Sequence, residues 1–376
     1  MYNAAWPLIV DVLVFAVSAV LIATVGMSLA RYAKVLSRRT GLGQAMTGAL
    51  LLGATTSLSG ITTSVTAAVE GHPELAASNA IGGIAAQTVF LAIADRVYSR
   101  ANLEHAAASD ENMIQGALLI ALLALTLLTV SMPPVSVLGV HPMSIVLLGA
   151  YGFGQVLVAR AQGRDMWRPR LTELTEEEAA EEEDPVLREA LEHAEKLVQE
   201  ESAQKRRWLD WGGGKPSDWP LGRLWLMFGL SAAAVAFLGY LLATSGAILA
   251  QETGLSETVL GGLFTAVVTS LSELVTAIAA VRIGALTMAV SDIVGGNAFD
   301  MIFLAVADIG FRDGSIYHAM GARPVFLVNL TILMTAVLLM GLLRRQKYGL
   351  WNMGFESILL VLVYGAGFAI IITTMS

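Results

Sequence analysis

The chain has 376 residues, of which 55% are hydrophobic and 14% charged, with a formal net charge of -8 and no cysteine. Apolar runs longer than the about 18 residues that mark a membrane span recur along it, which excludes an ordinary soluble domain, and the missing cysteines exclude disulfides, thiolate metal sites and cysteine nucleophiles. The acid is concentrated between Glu173 and Glu201, and no basic tract with interleaved aromatics offers a surface to nucleic acid.

Taken in chain order, the first span is expected from Leu8 to about Leu36, without a basic leader or small-residue cleavage site. The second runs from about Gly43 to Val69 and the third from Glu74 to Tyr98, divided by the turn Glu70-Gly71-His72-Pro73, where glycine and proline end one helix and start the next. The fourth, Met113 to Met132, is stopped by Pro133-Pro134, and a fifth follows from Met143 to about Leu157. The polar segment from Arg160 to Pro220 then carries the acidic run, with Leu187, Leu191, Ala194 and Val198 at helical spacing, so amphipathic helices are expected there. It contains no D-x-[DN]-x-[DN]-G calcium loop. Trp208 and Trp211 beside Lys205, Arg206 and Arg207 suit an anionic membrane surface. Five more spans follow, at Leu221–Leu249, Ser256–Val281, Ala285–Ala307, Pro324–Leu343 and Trp351–Thr374.

Thr56 to Asp95 falls on Thr269 to Asp308 without a gap, sharing Thr-Ser-Leu-Ser, a glycine pair, Phe-Leu-Ala and the closing aspartate. This is an internal repeat carried by the second and third spans of each set of five. An odd number of crossings per half turns the halves in opposite directions, so the expected fold is an all-α polytopic membrane protein of ten transmembrane helices in two inverted five-helix repeats. The repeats occupy residues 1–159 and 221–376, with the loop 160–220 between them. Arg31, Lys34, Arg38, Arg39, Arg96, Arg100, Arg282, Arg344, Arg345 and Lys347 fall on one side of this layout, and only Arg312 and Arg323 on the other. The basic bias puts the central loop in the cytoplasm and both termini outside, in a plasma or inner membrane, with Trp6, Trp219, Trp225 and Trp351 near span ends.

An ionisable side chain at membrane depth costs on the order of 2.5 to 3.5 kcal/mol on insertion scales, so acids within spans point to an ion pathway. Glu273 has no basic residue within a helical turn in sequence, and Asp300 stands in the next span. On one continuous helix Thr269, Glu273 and Thr276 share a face; Asp292, Asn297 and Asp300 surround Gly295-Gly296, where close approach and local unwinding free backbone carbonyls. Carboxylate, hydroxyl and carbonyl oxygens suit Ca²⁺, Na⁺ or Mg²⁺, and no histidine lies among them. Other acids read differently: Asp95 and Asp308 as interfacial anchors beside Arg96 and Arg312, Asp11 and Glu356 as acids reaching the interface, and Glu70, His72 and Glu74 as a solvated turn.

The sequence Thr269-Ser270-Leu271-Ser272-Glu273, followed by Ser291-Asp292-Ile293-Val294-Gly295-Gly296-Asn297-Ala298-Phe299-Asp300, resembles the paired motifs of the cation/calcium exchanger superfamily, which includes the sodium/calcium exchangers. The resemblance extends to the five-plus-five layout and implies a secondary-active antiporter, not an enzyme, with no cofactor and with Ca²⁺ and Na⁺ as transported cations. It implies Glu273 and Asp300 as direct cation ligands, with Thr269, Ser270 and Thr276 supplying oxygens, Asn297 supporting a broken helix, and Asp292 an additional acid or an acceptor behind the ligands. The first copy departs from this pattern: Gly60 stands opposite Glu273, Gln87 opposite Asp300 and Ile84 opposite Asn297, leaving Thr56, Ser57, Ser59, Thr63, Asn79 and Gln87 as neutral donors. The motif proline is serine in both copies, Ser59 and Ser272, so a helix break there must rest on glycine and hydroxyl back-bonding. Unit charges about 4 Å apart interact by about 4 kcal/mol at an effective dielectric of 20, so one lost acid weakens Ca²⁺ binding or alters selectivity. Alternatives to Na⁺/Ca²⁺ exchange are a proton-coupled or monovalent-cation exchanger and an ion-binding membrane sensor. An intramembrane aspartyl protease lacks its G-x-G-D here. The expected partners are the lipid bilayer and inorganic cations, with homo-oligomerisation left open.

Overall fold

The computed structural model describes residues 8–40, 57–98, 103, 109–161, 216, 219–282, 286–344 and 353–374. Thr56, the acidic central segment with its amphipathic stretch, Trp6 and Trp351 lie outside the described residues. Regular structure among the described residues is helical: α1 (Leu8–Thr40), α2 (Leu58–Val69), α3 (Pro73–Val97), α4 (Asp110–Val130), α5 (Pro142–Ala161), α6 (Leu221–Thr253), α7 (Glu257–Thr269), α8 (Leu271–Arg282), α9 (Leu286–Gly310), the short α10 (Ile316–Ala319), α11 (Ala322–Arg344) and α12 (Phe355–Thr374). Eight of these are long and apolar enough to cross a membrane; α2 and α7 are shorter apolar helices. Local chemistry sets the ends. Pro73 opens α3 behind Gly71 at φ 84°, Ser109 and Ser256 cap α4 and α7 by accepting from the amides of Asn112 and Val259, and Gly254 closes α6 at φ 71°.

The span expected from Ser256 to Val281 is not one helix. It is interrupted at Ser270, where φ is -98° and ψ is 8°, and the mirror position Ser57, at the start of α2, has φ -85° and ψ 2°. The break rests on these paired serines and is supported from across the repeat, since the Ser59 hydroxyl donates to the Thr269 carbonyl at 3.1 Å. Hydroxyl back-bonding contributes only locally, through Thr269 Oγ1 to the Ala266 carbonyl at 3.2 Å. The glycine pairs, by contrast, do not unwind their helices: α3 and α9 run unbroken through Gly82-Gly83 and Gly295-Gly296.

Those two helices form the centre of the molecule. Within their most apolar stretches 89% of α3 and 67% of α9 are buried, against 17% for α1, which pairs with α6 at the periphery. Close approach is bought by glycine: a Cβ on Gly82 would run into the backbone of Gly262, which lies in the π-helical turn Leu260–Thr265 of α7.

Asp95 and Asp308 are not interfacial anchors. Both are fully buried, because each finds three donors inside the protein. Asp95 Oδ1 accepts from the Leu103 amide at 2.7 Å and Oδ2 from the Gly354 amide at 3.0 Å and Ser357 Oγ at 2.8 Å. Asp308 Oδ1 accepts from the Ile316 amide at 3.0 Å and Oδ2 from the His141 amide at 2.8 Å and Ser144 Oγ at 2.7 Å. Every atom of one set has its counterpart in the other at the same offset of 213 positions that relates Gln87 to Asp300. Each carboxylate ends its own helix and meets the N-terminus of α12 or α5 from the opposite half, where unsatisfied amides favour negative charge. Asp11 and Glu356 are buried too, at 3% and 1% exposure, and do not reach an interface; Glu356 lies over Gly341 and Gly354, which have no side chain to displace it.

Candidate functional site

The break at Ser270, the start of α2 at Ser57 and the central helices bring four expected residues into one hydrogen-bonded group. Asp300, on α9 and 2% exposed, accepts from Ser57 Oγ at 2.9 Å through Oδ1 and from Gln87 Nε2 at 2.6 Å through Oδ2. Gln87 Nε2 also donates to Ser270 Oγ at 3.1 Å. Gly83 and Gly296 border the cluster: a Cβ on Gly83 would stand in ordinary contact with Ser270 Oγ at 3.5 Å and one on Gly296 with Gln87 Oε1 at 3.6 Å. That Gln87 oxygen is buried and has no hydrogen-bond partner among the described residues, nor has Asn297 Oδ1. A buried, unpaired acceptor carries a desolvation cost of about 1 to 3 kcal/mol, which a cation or its water can relieve. Glu273, 5% exposed, sits in the first turn of α8 just beyond Ser270, where amide dipoles favour its charge.

The other expected residues frame this centre. Asn79 donates to the Gly60 carbonyl at 3.2 Å and to Ser64 Oγ at 2.9 Å, and its Oδ1 accepts from Thr265 Oγ1 at 2.8 Å, which ties α2, α3 and the π turn together. At the mirror position Asp292 accepts from Thr276 Oγ1 at 2.9 Å, so it is an acceptor linking α8 to α9. Thr269 lies on the other side of the helix break from Glu273, which removes the shared-face argument; its carbonyl, held by Ser59, faces the first repeat. Asn297 supports no broken helix but donates to Thr88 Oγ1 at 3.1 Å and so joins α9 to α3. Thr63 donates to the Gly239 carbonyl at 3.3 Å, away from Asp300.

Two features escape the sequence. Thr265 and Ser64 complete the Asn79 network, and Phe303 packs against Gly60, so that a Cβ there would lie 2.6 Å from the ring. The turn that the sequence presents as solvated is also a network: His72 Nδ1 meets Glu257 Oε1 at 2.6 Å, the Leu75 amide donates to Glu257 Oε2 at 3.1 Å, and Glu74 Oε1 accepts from Thr258 Oγ1 at 2.5 Å and Arg323 at 3.4 Å. The hydrogen bond with Glu257 holds His72 protonated to higher pH than an ordinary imidazole, against the opposing effect of burial.

Residues 10–159 and 223–373 match the family model described as sodium/calcium exchanger protein. No curated protein gives a significant sequence match. Among solved structures the chain is similar to the H⁺/Ca²⁺ exchanger CAX, with a TM-score of 0.64 at 12% identity over 98% of this chain and 83% of that one. It is similar to native YfkE, with a TM-score of 0.61 at 15% identity over 96% and 92%, and to the sodium-calcium exchanger NCX_Mj, with a TM-score of 0.53 at 16% identity over 96% and 99%.

Proposed function

The chain belongs to the sodium/calcium exchanger protein family, and on that premise we propose that it is a secondary-active antiporter moving Ca²⁺ in exchange for Na⁺ by alternating access. The chain is a membrane transporter, not an enzyme. In this reading it has ten crossings in two inverted five-helix repeats, with the central loop cytoplasmic and both termini outside. The observation that carries the proposal is the buried Asp300 carboxylate, held by Ser57 at the start of α2 and by Gln87, which also meets Ser270 at the break between α7 and α8, with Glu273 in the first turn beyond that break. Rotation of the two serine hydroxyls and of the Gln87 amide converts these donors into acceptors, so a cation meets carboxylate and neutral oxygens together. Two ionised carboxylates match the charge of one Ca²⁺ in surroundings of low dielectric, where that match counts most.

Gradient-driven Ca²⁺ uptake into liposomes tests this. Glu273→Gln removes one of two site charges, and the expected outcome is a loss of flux of at least about 100-fold, the counterpart of about 3 kcal/mol. Undiminished uptake in that variant refutes the proposal. A second reading, coupling to H⁺ or to a monovalent cation, is favoured by the neutral first-repeat side, where Gln87 and Gly60 replace acids. Uptake driven by a pH gradient with Na⁺ absent selects it.

A further inference from the structure

Gly60 and Glu273 are mirror positions, so the first repeat lacks the acid that the second provides. The space that such an acid needs is not open. Gly60 is buried on α2, and a Cβ built there would lie 2.6 Å from Phe303 Cε2, 3.3 Å from Cζ and 3.4 Å from Cδ2. The ring cannot simply swing aside. Phe303 is 4% exposed and packs edge-on against Phe299 at 6.3 Å between centroids, while Phe299 packs edge-on against Tyr151 at 6.0 Å. This aromatic row runs along α9 beside Asp300 and is braced by α5.

We infer that Phe303 is a specificity-determining residue: its ring fills the flank of the site where a first-repeat carboxylate would stand and confines cations to the second repeat's two acids. The inference rests on the antiporter reading. The consequence is a site matched to one divalent cation, with a neutral amide and hydroxyls on one side and carboxylates on the other. A third carboxylate raises the attraction for divalent charge, but only once the ring has made room. A glutamate at position 60 alone is therefore forced against a packed aromatic and cannot reach the cation.

Calcium titration calorimetry on purified protein, with melting of the cation-free protein in parallel, tests this. Wild type binds one Ca²⁺ and Glu273→Gln does not. Gly60→Glu lowers the cation-free melting temperature without tightening Ca²⁺ binding. Gly60→Glu with Phe303→Ala binds Ca²⁺ at least about tenfold more tightly than Phe303→Ala alone. Gly60→Glu with Phe90→Ala, an equal deletion at the ring's mirror position, shows no such gain. The inference is overturned if Gly60→Glu alone tightens binding tenfold at an unchanged melting temperature, or if the double variant binds no better than Phe303→Ala. Absence of Ca²⁺ binding in wild type refutes the antiporter reading instead. The ring is then judged on melting alone: Gly60→Ala destabilises wild type but not Phe303→Ala, and equal melting of Gly60→Ala and wild type overturns the plug.

Discussion

At the scale of the residue, the cost of burying charge explains both what the sequence disclosed and what it concealed. Glu273 and Asp300 stand out because no nearby basic residue compensates them in sequence, and both are buried, Asp300 against Ser57 and Glu273 in the first turn beyond Ser270. Asp95, Asp308, Asp11 and Glu356 read as innocuous because they lie near span ends, and nothing in the neighbourhoods of Asp95 and Asp308 announces the donors from the opposite half that allow their burial. Only the recurrence of an aspartate at the end of both copies was a signal, since an interface places no such demand on an exact position. His72 shows a similar long-range effect, gaining Glu257 from a helix remote in sequence while Glu70 adds a further favourable charge. Its pKa is raised on folding, so its contribution is fully present below the unfolded value of about 6.5 and is lost as pH rises through the higher folded value. The melting difference between wild type and His72→Gln is expected to be largest in mildly acid buffer and to shrink in alkaline buffer. For a pair still within reach of water it corresponds to at most about 1 kcal/mol.

At the scale of the element, hydrophobic length and glycine-proline punctuation suffice to read most helices, whose described ends fall close to the expected ones; the start expected at Gly43 for the second span lies outside the described residues. The interruption at Ser270 was not legible in the same way. Motif serines in place of proline suggest a break relying on glycine and hydroxyl back-bonding, yet the break sits at Ser270, next to Thr269, whose carbonyl is satisfied by the Ser59 hydroxyl 210 positions away. A helical-wheel argument cannot see a partner at that distance. The buried aspartates make a prediction about helix ends, because each holds the N-terminus of a helix from the other half. Asp95→Asn and Asp308→Asn each replace a charge-assisted acceptor of three donors with an amide, at a cost of about 3 kcal/mol. Thermal unfolding in detergent should show falls of similar size for the two, as befits mirror-related contacts. A fall confined to one of them contradicts the equivalence.

At the scale of the whole molecule, the repeat recorded in the sequence is reproduced bond for bond around Asp95 and Asp308, and the architecture that it implies has a simple readout. The natural chain has no cysteine, so every introduced thiol is unique. Ser202→Cys in the central loop and Asp313→Cys between α9 and α10 are expected to react with an impermeant maleimide from opposite sides of the membrane; labelling of both from one side contradicts the inverted arrangement. The cross-donation of the aspartates also has a consequence for biogenesis. Asp308 meets a helix that the ribosome has already released, but Asp95 depends on Gly354, 259 positions later, and on Ser357. During synthesis its carboxylate waits, incompletely satisfied, until α12 emerges. A nascent chain cut short before α12 therefore keeps the Asp95 carboxylate without two of its three donors.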